Sequence, residues 1–170
     1  AFFFIFKANR LKNIFILSLS FAFGWFFLGL YWITNAFFIK SSFHLFLMPF
    51  AAILLPLFLS FIWSLAFIIA KLISEKVGEI HINSLIFLSI FEYFRGKFLN
   101  FPWLMPGNVF SSNEIFIQGF SFVGSYSMNI VFFSCTIIPV LIFKYKRSSV
   151  LPTLLFIIPT VILFIKSYDR

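Results

Sequence analysis

The sequence is short of charged residues, because only 11% of its 170 residues are Asp, Glu, Lys or Arg. A soluble domain carries about 25%, so this fraction excludes an ordinary water-soluble globular protein. Hydrophobic residues make up 62% of the chain, and the mean hydropathy is +1.06. Apolar runs exceed the roughly 18 residues that distinguish a membrane-spanning helix from a buried core helix. We therefore expect an all-α, polytopic integral membrane protein.

Cysteine and histidine are scarce as well, with one Cys and two His in the chain. The single Cys135 excludes an intrachain disulfide. His44 has no second metal ligand near it in the sequence, and His81 has only Glu79. The chain also contains no glycine-rich phosphate-binding motif, no HExxH motif and no Ser/His/Asp arrangement. We therefore predict no metal site and no cofactor, and the residues alone point to no catalytic motif.

Basic residues outnumber acidic ones and give a net charge of +8. In a soluble protein this excess would suggest a nucleic-acid partner, but in a membrane protein Lys and Arg collect in cytoplasmic loops. We expect membrane lipid and no nucleic acid as a partner. About five transmembrane helices are predicted. They cover approximately residues 14–39, 43–70, 83–99, 115–143 and 150–165.

The distribution of basic residues predicts the orientation of these spans. If the five spans alternate, eight Lys and Arg residues fall on one side and five on the other. The side with eight is expected to be cytoplasmic. The loop at residues 100–114 then faces outward. In a bacterium this arrangement corresponds to a multi-pass protein of the inner membrane with a periplasmic 100–114 loop.

Two opposite charges interrupt the third predicted span. Glu92 and Arg95 lie three residues apart, and a charged side chain at the bilayer centre costs about 2.5–3.5 kcal/mol on insertion scales. Such residues commonly mark a functional site, so the pair is a candidate polar anchor in an outward-opening cavity. The alternative is an ion pair between positions i and i+3 that helps helices to pack.

The segment after this pair predicts a constrained turn. Residues 100–108 contain two prolines and a Gly-Asn pair, which favour turns and disfavour a helix. Trp103 in this segment is typical of an aromatic anchor at the membrane surface. Because the segment joins directly to the helix of Glu92 and Arg95, Trp103 is also a candidate for a functional site.

Polar residues recur along the fourth predicted span at spacings of four, three, four and four. They are Glu114, Gln118, Ser121, Ser125 and Asn129. This spacing predicts that they share one face of a helix. Such a face either holds membrane helices together or lines the outer half of the bundle.

The charged pair and the loop together resemble a known signature. The run Glu92-Tyr93-Phe94-Arg95-Gly96, followed by Phe101-Pro102-Trp103-Leu104, is similar to a motif of the apolipoprotein N-acyltransferases. Segments at residues 23–33 and 118–129 resemble neighbouring helices of that family. The sequence departs from the family pattern at Asn100, which stands in place of a Thr-Gly pair, and at Gly107-Asn108, where the family often has Gly-Tyr.

The resemblance implies an enzyme of bacterial lipoprotein maturation. Such an enzyme takes an acyl chain from a phospholipid, forms a thioester on a cysteine, and passes the acyl group to the α-amine of a diacylglyceryl-cysteine. The family carries out this chemistry in a periplasmic nitrilase-like domain with a Glu-Lys-Cys triad. Residues 1–170 are then expected to be the transmembrane bundle alone, truncated at both ends and without the catalytic domain.

The same resemblance yields candidate lipid-binding residues, and it implies a phospholipid acyl donor and diacylglyceryl apolipoproteins as partners. The candidates are Glu92, Arg95, Pro102, Trp103 and Gln118. Arg95 is expected to be available to a phosphate or carbonyl, and Pro102 and Trp103 are expected to shape the cavity entrance. Two alternatives stay open. One is a non-enzymatic membrane protein, such as a transporter subunit or a lipid-handling partner, and the other is a split enzyme whose catalytic half is a separate chain.

Overall fold

The computed structural model describes residues 1–38, 42–112 and 114–144, and this part of the chain contains helices and no strands. The all-α prediction is therefore confirmed. These residues form five α-helices and two 3-10 helices. They are α1 (Phe2–Lys7), α2 (Leu11–Gly29), the first 3-10 helix (Tyr31–Phe38), α3 (Ser42–Ser74), α4 (Ile80–Phe98), the second 3-10 helix (Pro106–Ser112) and α5 (Glu114–Lys144).

Three of the described helices are long and apolar enough to cross a membrane. They cover Leu11–Gly29, Leu45–Ser74 and Val123–Leu141. The segment predicted as a span at residues 83–99 does form a helix, α4, but it is not in this set because Glu92, Arg95 and Lys97 all lie in its C-terminal half. The predicted span at residues 150–165 lies outside the described residues. The structure is that of a membrane protein with three clear candidate spans.

The prediction of one continuous span over residues 14–39 is wrong. Helix α2 ends at Gly29, and the backbone at Leu30 has φ −102° and ψ 4°, which lies outside the α-helical range. The chain continues as the first 3-10 helix, at whose start the backbone N–H of Ile33 donates to the carbonyl of Leu30 at 3.0 Å. A bond to the third preceding residue fits the tighter 3-10 turn.

The described residues form two compact units, one over Phe3–Ile69 and one from Ala70 onward. In the first unit, Trp63 of α3 is buried against aromatic rings of α2. Its ring centroid lies 5.0 Å from that of Phe26 in an edge-to-face arrangement and 6.3 Å from that of Trp25. Such aromatic pairs stabilise a fold by more than the burial of their apolar area alone would give. They provide the packed centre of this unit.

The second unit consists of the end of α3, α4, the second 3-10 helix and α5. The turn between α3 and α4 is fixed by Asn83, whose Nδ2 donates to the carbonyl of Val77 at 2.9 Å and to Oγ of Ser74 at 3.0 Å. Helix α4 packs on α5, and the second 3-10 helix packs on α5 as well, with Phe110 against Met128. The functional candidates at residues 92–118 all belong to this unit.

Candidate functional site

The charged pair of α4 is fully buried and makes a two-point contact. Nε of Arg95 lies 3.0 Å from Oε1 of Glu92, and Nη2 lies 2.7 Å from Oε2. Residues three apart share a face of a helix, and the planar guanidinium matches both carboxylate oxygens. The ion pair that the sequence left open is therefore present. Each charge offsets the cost of burying the other.

The same guanidinium also holds the loop that follows α4. Nη1 of Arg95 donates to the carbonyl of Phe101 at 2.9 Å and to the carbonyl of Trp103 at 2.7 Å. Arg95 therefore bonds to Glu92 through Nε and Nη2 and to the loop backbone through Nη1. Because Glu92 orients the guanidinium, the pair and the loop form one connected unit. We call these contacts the Arg95 clamp.

The loop itself takes an uncommon backbone path. Asn100 and Leu104 have φ of 50° and 55°, in the left-handed region where Asn is tolerated but Leu is rare. Asn100, which stands where the related family has a Thr-Gly pair, therefore supplies a conformation that glycine adopts readily. A Leu at positive φ is strained, and it keeps that conformation only where its surroundings fix it. The Arg95 clamp on Phe101 and Trp103 lies between these two residues and provides that restraint.

The prediction that residues 100–108 contain no helix is correct only for the first part of the segment. Residues 99–105 are irregular, but Pro106–Ser112 form the second 3-10 helix. Proline is favourable at the first position of a helix, because its φ is already helical and no intrahelical N–H is needed there. Pro106 therefore starts this helix, although its presence in the sequence predicted a turn.

A second anchor ties the far end of the loop to α5. The backbone N–H of Gly107 donates to Oδ1 of Asn129 at 2.8 Å, and both residues are buried. A Cβ on Gly107 would lie 2.6 Å from the backbone carbon of Met128 and 2.8 Å from the nitrogen of Asn129. Real side chains do not occupy such positions, so the close approach of the 3-10 helix to α5 requires glycine here.

Helix α4 approaches α5 at another glycine. A Cβ on Gly96 would overlap the hydroxyl of Tyr126 and would lie 2.6 Å from its Cε1. In the sequence, Gly96 and Gly107 stand out only as parts of motifs, and nothing there pairs them with Tyr126 and Asn129. No local spacing joins residues that are 30 and 22 positions apart, so the single sequence carried no signal for either contact.

The polar residues of α5 do not share one continuous face, so that prediction is wrong. Gly124 has φ 77° and ψ 161°, which breaks the helix into two arms and shifts the register between them. Gln118 and Ser121, before the break, have exposed side chains. Asn129, after it, is fully buried and bonded to Gly107.

The candidate residues thus separate into a buried and an exposed group. Glu92 and Arg95 are buried beneath the loop, whereas Pro102, Trp103 and Gln118 are exposed, with Trp103 at 54%. The clamp joins the first group to the backbone of Trp103, and Gln118 lies separately on the short first arm of α5. No cluster of His, Cys, Asp and Glu suited to a metal occurs among the described residues.

Fold and site together define a helical membrane protein in which a buried ion pair holds an exposed Pro-Trp loop. The chain belongs to the apolipoprotein N-acyltransferase family, because the family model described as the apolipoprotein N-acyltransferase N-terminal domain matches residues 1–138. This match includes α4, the loop and most of α5. The resemblance stated from residues 92–104 is thereby confirmed.

Curated relatives agree with the family match. The apolipoprotein N-acyltransferase of Rhodopseudomonas palustris is 30% identical over 112 residues, which cover 65% of this chain and 21% of the relative. That of Sinorhizobium medicae is 31% identical over 142 residues, covering 82% and 27%, and that of Rickettsia bellii is 27% identical over 138 residues, covering 79% and 28%. The matches thus span about a quarter of the relatives' length. No solved structure matches at a comparable level.

Proposed function

We propose that this chain is the membrane part of an apolipoprotein N-acyltransferase and that it holds the lipid substrates. The complete enzyme would transfer an acyl chain from a phospholipid to the N-terminal diacylglyceryl-cysteine of lipoproteins. The observation that carries the proposal is the Arg95 clamp, because a buried charge is used to fix a loop whose Pro102 and Trp103 are exposed. The names of the curated relatives support the activity.

Each candidate has a distinct role in this proposal. Trp103 and Pro102 contact the lipid, since they are the exposed part of the loop. Arg95 is a positioning residue that acts through the loop backbone, and Glu92 orients Arg95. Gln118, exposed on the first arm of α5, offers an amide to the polar part of a lipid.

We assign the covalent chemistry to residues outside this chain. The family resemblance implies a nitrilase-like domain with a Glu-Lys-Cys triad, and the matched relatives are several times longer than their matched part. Cys135 lies inside the apolar candidate span Val123–Leu141, so we do not assign it as the nucleophile. Residues 1–170 alone are then expected to have no acyl-transfer activity. We further propose a bacterial inner-membrane location with the loop side in the periplasm.

The test is acyl transfer by the full-length protein carrying Trp103→Ala. Loss of a large aromatic contact at the centre of a binding site commonly costs tenfold or more. We therefore expect transfer from phospholipid to a diacylglyceryl peptide to fall at least about tenfold, with the yield of folded protein unchanged. Phe58→Ala is the matched control. Phe58 lies on α3 and is 53% exposed, so this substitution also removes an exposed ring, at a position far from the loop in sequence.

Two outcomes would contradict the proposal. Equal loss of activity in Trp103→Ala and Phe58→Ala would remove the special role of the loop. A wild-type full-length protein that binds phospholipid but transfers no acyl group would favour the non-enzymatic, lipid-handling alternative.

A further inference from the structure

A groove of about 440 Å³ lies between α4 and α5, and we call it the α4–α5 groove. Its walls are mainly apolar and aromatic. They include Ile90, Tyr93 and Phe94 of α4 and Tyr126, Ser127 and Ile130 of α5. None of these residues belongs to the Arg95 clamp or to the exposed loop. The groove is therefore distinct from the loop site described above.

The groove has a direction along α4. Ile90 lies at one end, Tyr93 and Phe94 lie one turn further, and Lys97 follows after another turn. At 1.5 Å per residue the distance from Ile90 to Lys97 along the helix is about 10 Å. The rings of Tyr93 and Tyr126 meet edge to face at 5.2 Å, which joins the two walls at the middle.

The apolar wall continues to the end of α4. Phe94 stacks on Phe98 with ring centroids 5.0 Å apart, and both rings are well exposed, at 49% and 71%. Adjacent exposed rings of this kind are unfavourable against water and favourable against lipid chains. An acyl chain is an occupant of matching shape and chemistry.

An exposed cation lies at the loop end of the groove. Nζ of Lys97 is 5.9 Å from the ring centroid of Tyr126, within the range of a cation–π contact. Lys97 is exposed, and no ion pair to it occurs in the described part of the chain. Its position differs from that of Arg95, whose guanidinium is fully buried.

We propose that the α4–α5 groove binds one acyl chain of a phospholipid whose phosphate lies against Lys97. An apolar channel that ends at an exposed cation complements a molecule with a long apolar tail and an anionic head. Tyr93, Tyr126 and Ser127 line the same groove, and their hydroxyl groups suit the ester region of such a lipid. The bound lipid is held there whether or not it also serves as the acyl donor.

The experiment uses the full-length protein in phosphatidylcholine vesicles that contain a phosphatidylglycerol with a photoreactive diazirine on one acyl chain. After illumination, labelled peptides are identified by mass spectrometry. We expect labelling concentrated on Ile90 and Ile130. Lys97→Gln should reduce the labelling of these two residues about fivefold, because one lysine near an anionic membrane surface changes binding by about that factor. Lys76→Gln, an exposed lysine before the start of α4, should leave it unchanged.

A second variant tests the shape of the groove, whereas Lys97→Gln tests its charge. Ser127→Phe would fill the groove and should suppress the same labels, while thermal unfolding reports that the protein is still folded. Labelling spread evenly over all apolar surfaces, labelling insensitive to both variants, or cross-linking of the groove to another protein segment would each overturn the proposal.

The same samples distinguish this inference from the proposed enzyme function. Acyl transfer without groove labelling would reject the groove and leave the transferase. Groove labelling without acyl transfer would support the lipid site and reject the transferase.

Discussion

At the scale of single residues, Arg95 explains how a charge is accommodated in the apolar part of this chain. Glu92 neutralises it from within the same helix, and two backbone carbonyls of the loop take further donors. Removing one partner of such a pair leaves the other charge buried and unpaired, which is far more costly than losing both. The contributions of Glu92 and Arg95 to the free energy of unfolding therefore depend strongly on each other.

This coupling gives a prediction for a double-mutant cycle. Glu92→Gln and Arg95→Gln should each lower the free energy of unfolding by about 3–5 kcal/mol, and the double variant should lose clearly less than the sum. Denaturation in mild detergent measures all three. The control is Lys71→Gln, because Lys71 makes a partly exposed pair with Glu75 at 3.7 Å, worth about 0–1 kcal/mol. Single variants at positions 92 and 95 no worse than this control would refute the clamp.

At the scale of elements, two glycines decide how closely α4 and the second 3-10 helix approach α5. Gly107 meets the backbone of Met128 and Asn129, and Gly96 meets the ring of Tyr126. Backbone atoms cannot rotate away as a flexible side chain can. The 3-10 helix is therefore held in place by a steric fit together with the hydrogen bond to Asn129.

The glycine fit predicts a contrast between two substitutions of the same kind. Gly107→Ala should destabilise the protein by about 1–3 kcal/mol through overpacking, and it should speed proteolysis within residues 100–112. Gly24→Ala, in the interior of α2, meets nothing within 4 Å, so it should be neutral or stabilise by up to about 1 kcal/mol. Unfolding curves for both variants provide the comparison. Equal stability of the two would show that the 3-10 helix can move away from α5.

The same elements show what one sequence can and cannot predict. The helices at Leu45–Ser74 and Val123–Leu141 follow from long apolar runs, and the Glu92–Arg95 pair follows from its spacing. The early end of α2 at Gly29 and the break at Gly124 depend on local backbone geometry that apolar runs do not encode. The sequence could not predict the bonds from Arg95 to backbone carbonyls, because every residue has a carbonyl and the residue type does not reveal which one accepts.

At the scale of the whole molecule, α4 is the helix whose charges decide whether it can cross the membrane. It has the length of a span, at 19 residues, yet three charges lie in its C-terminal half. Arg95 and Glu92 are buried and paired, which leaves Lys97 as the exposed charge near the helix end. Long cationic side chains near a helix end reach the membrane surface. We therefore expect α4 to cross the membrane.

Cysteine labelling tests this crossing. In a Cys135→Ser background, Ser111→Cys and Glu75→Cys lie beyond opposite ends of α4, and both native residues are exposed. The label is read at each engineered position by peptide mass spectrometry, so cysteines elsewhere in the full-length protein do not enter the comparison. A membrane-impermeant maleimide should label Ser111→Cys in cells whose outer membrane has been opened, and Glu75→Cys only after the inner membrane is disrupted. Labelling of both positions before disruption would place the two ends on one side and reject the crossing and the proposed orientation.

The Arg95 clamp has a consequence for how this protein can diverge. Its loop contacts are with the carbonyls of Phe101 and Trp103, which every amino acid possesses. The side chains at these positions can therefore change while the scaffold that presents them is kept. Substitution at the loop can therefore change the surface that it exposes without rebuilding the helix beneath it. The same property makes residues 101–103 a natural site for a combinatorial library.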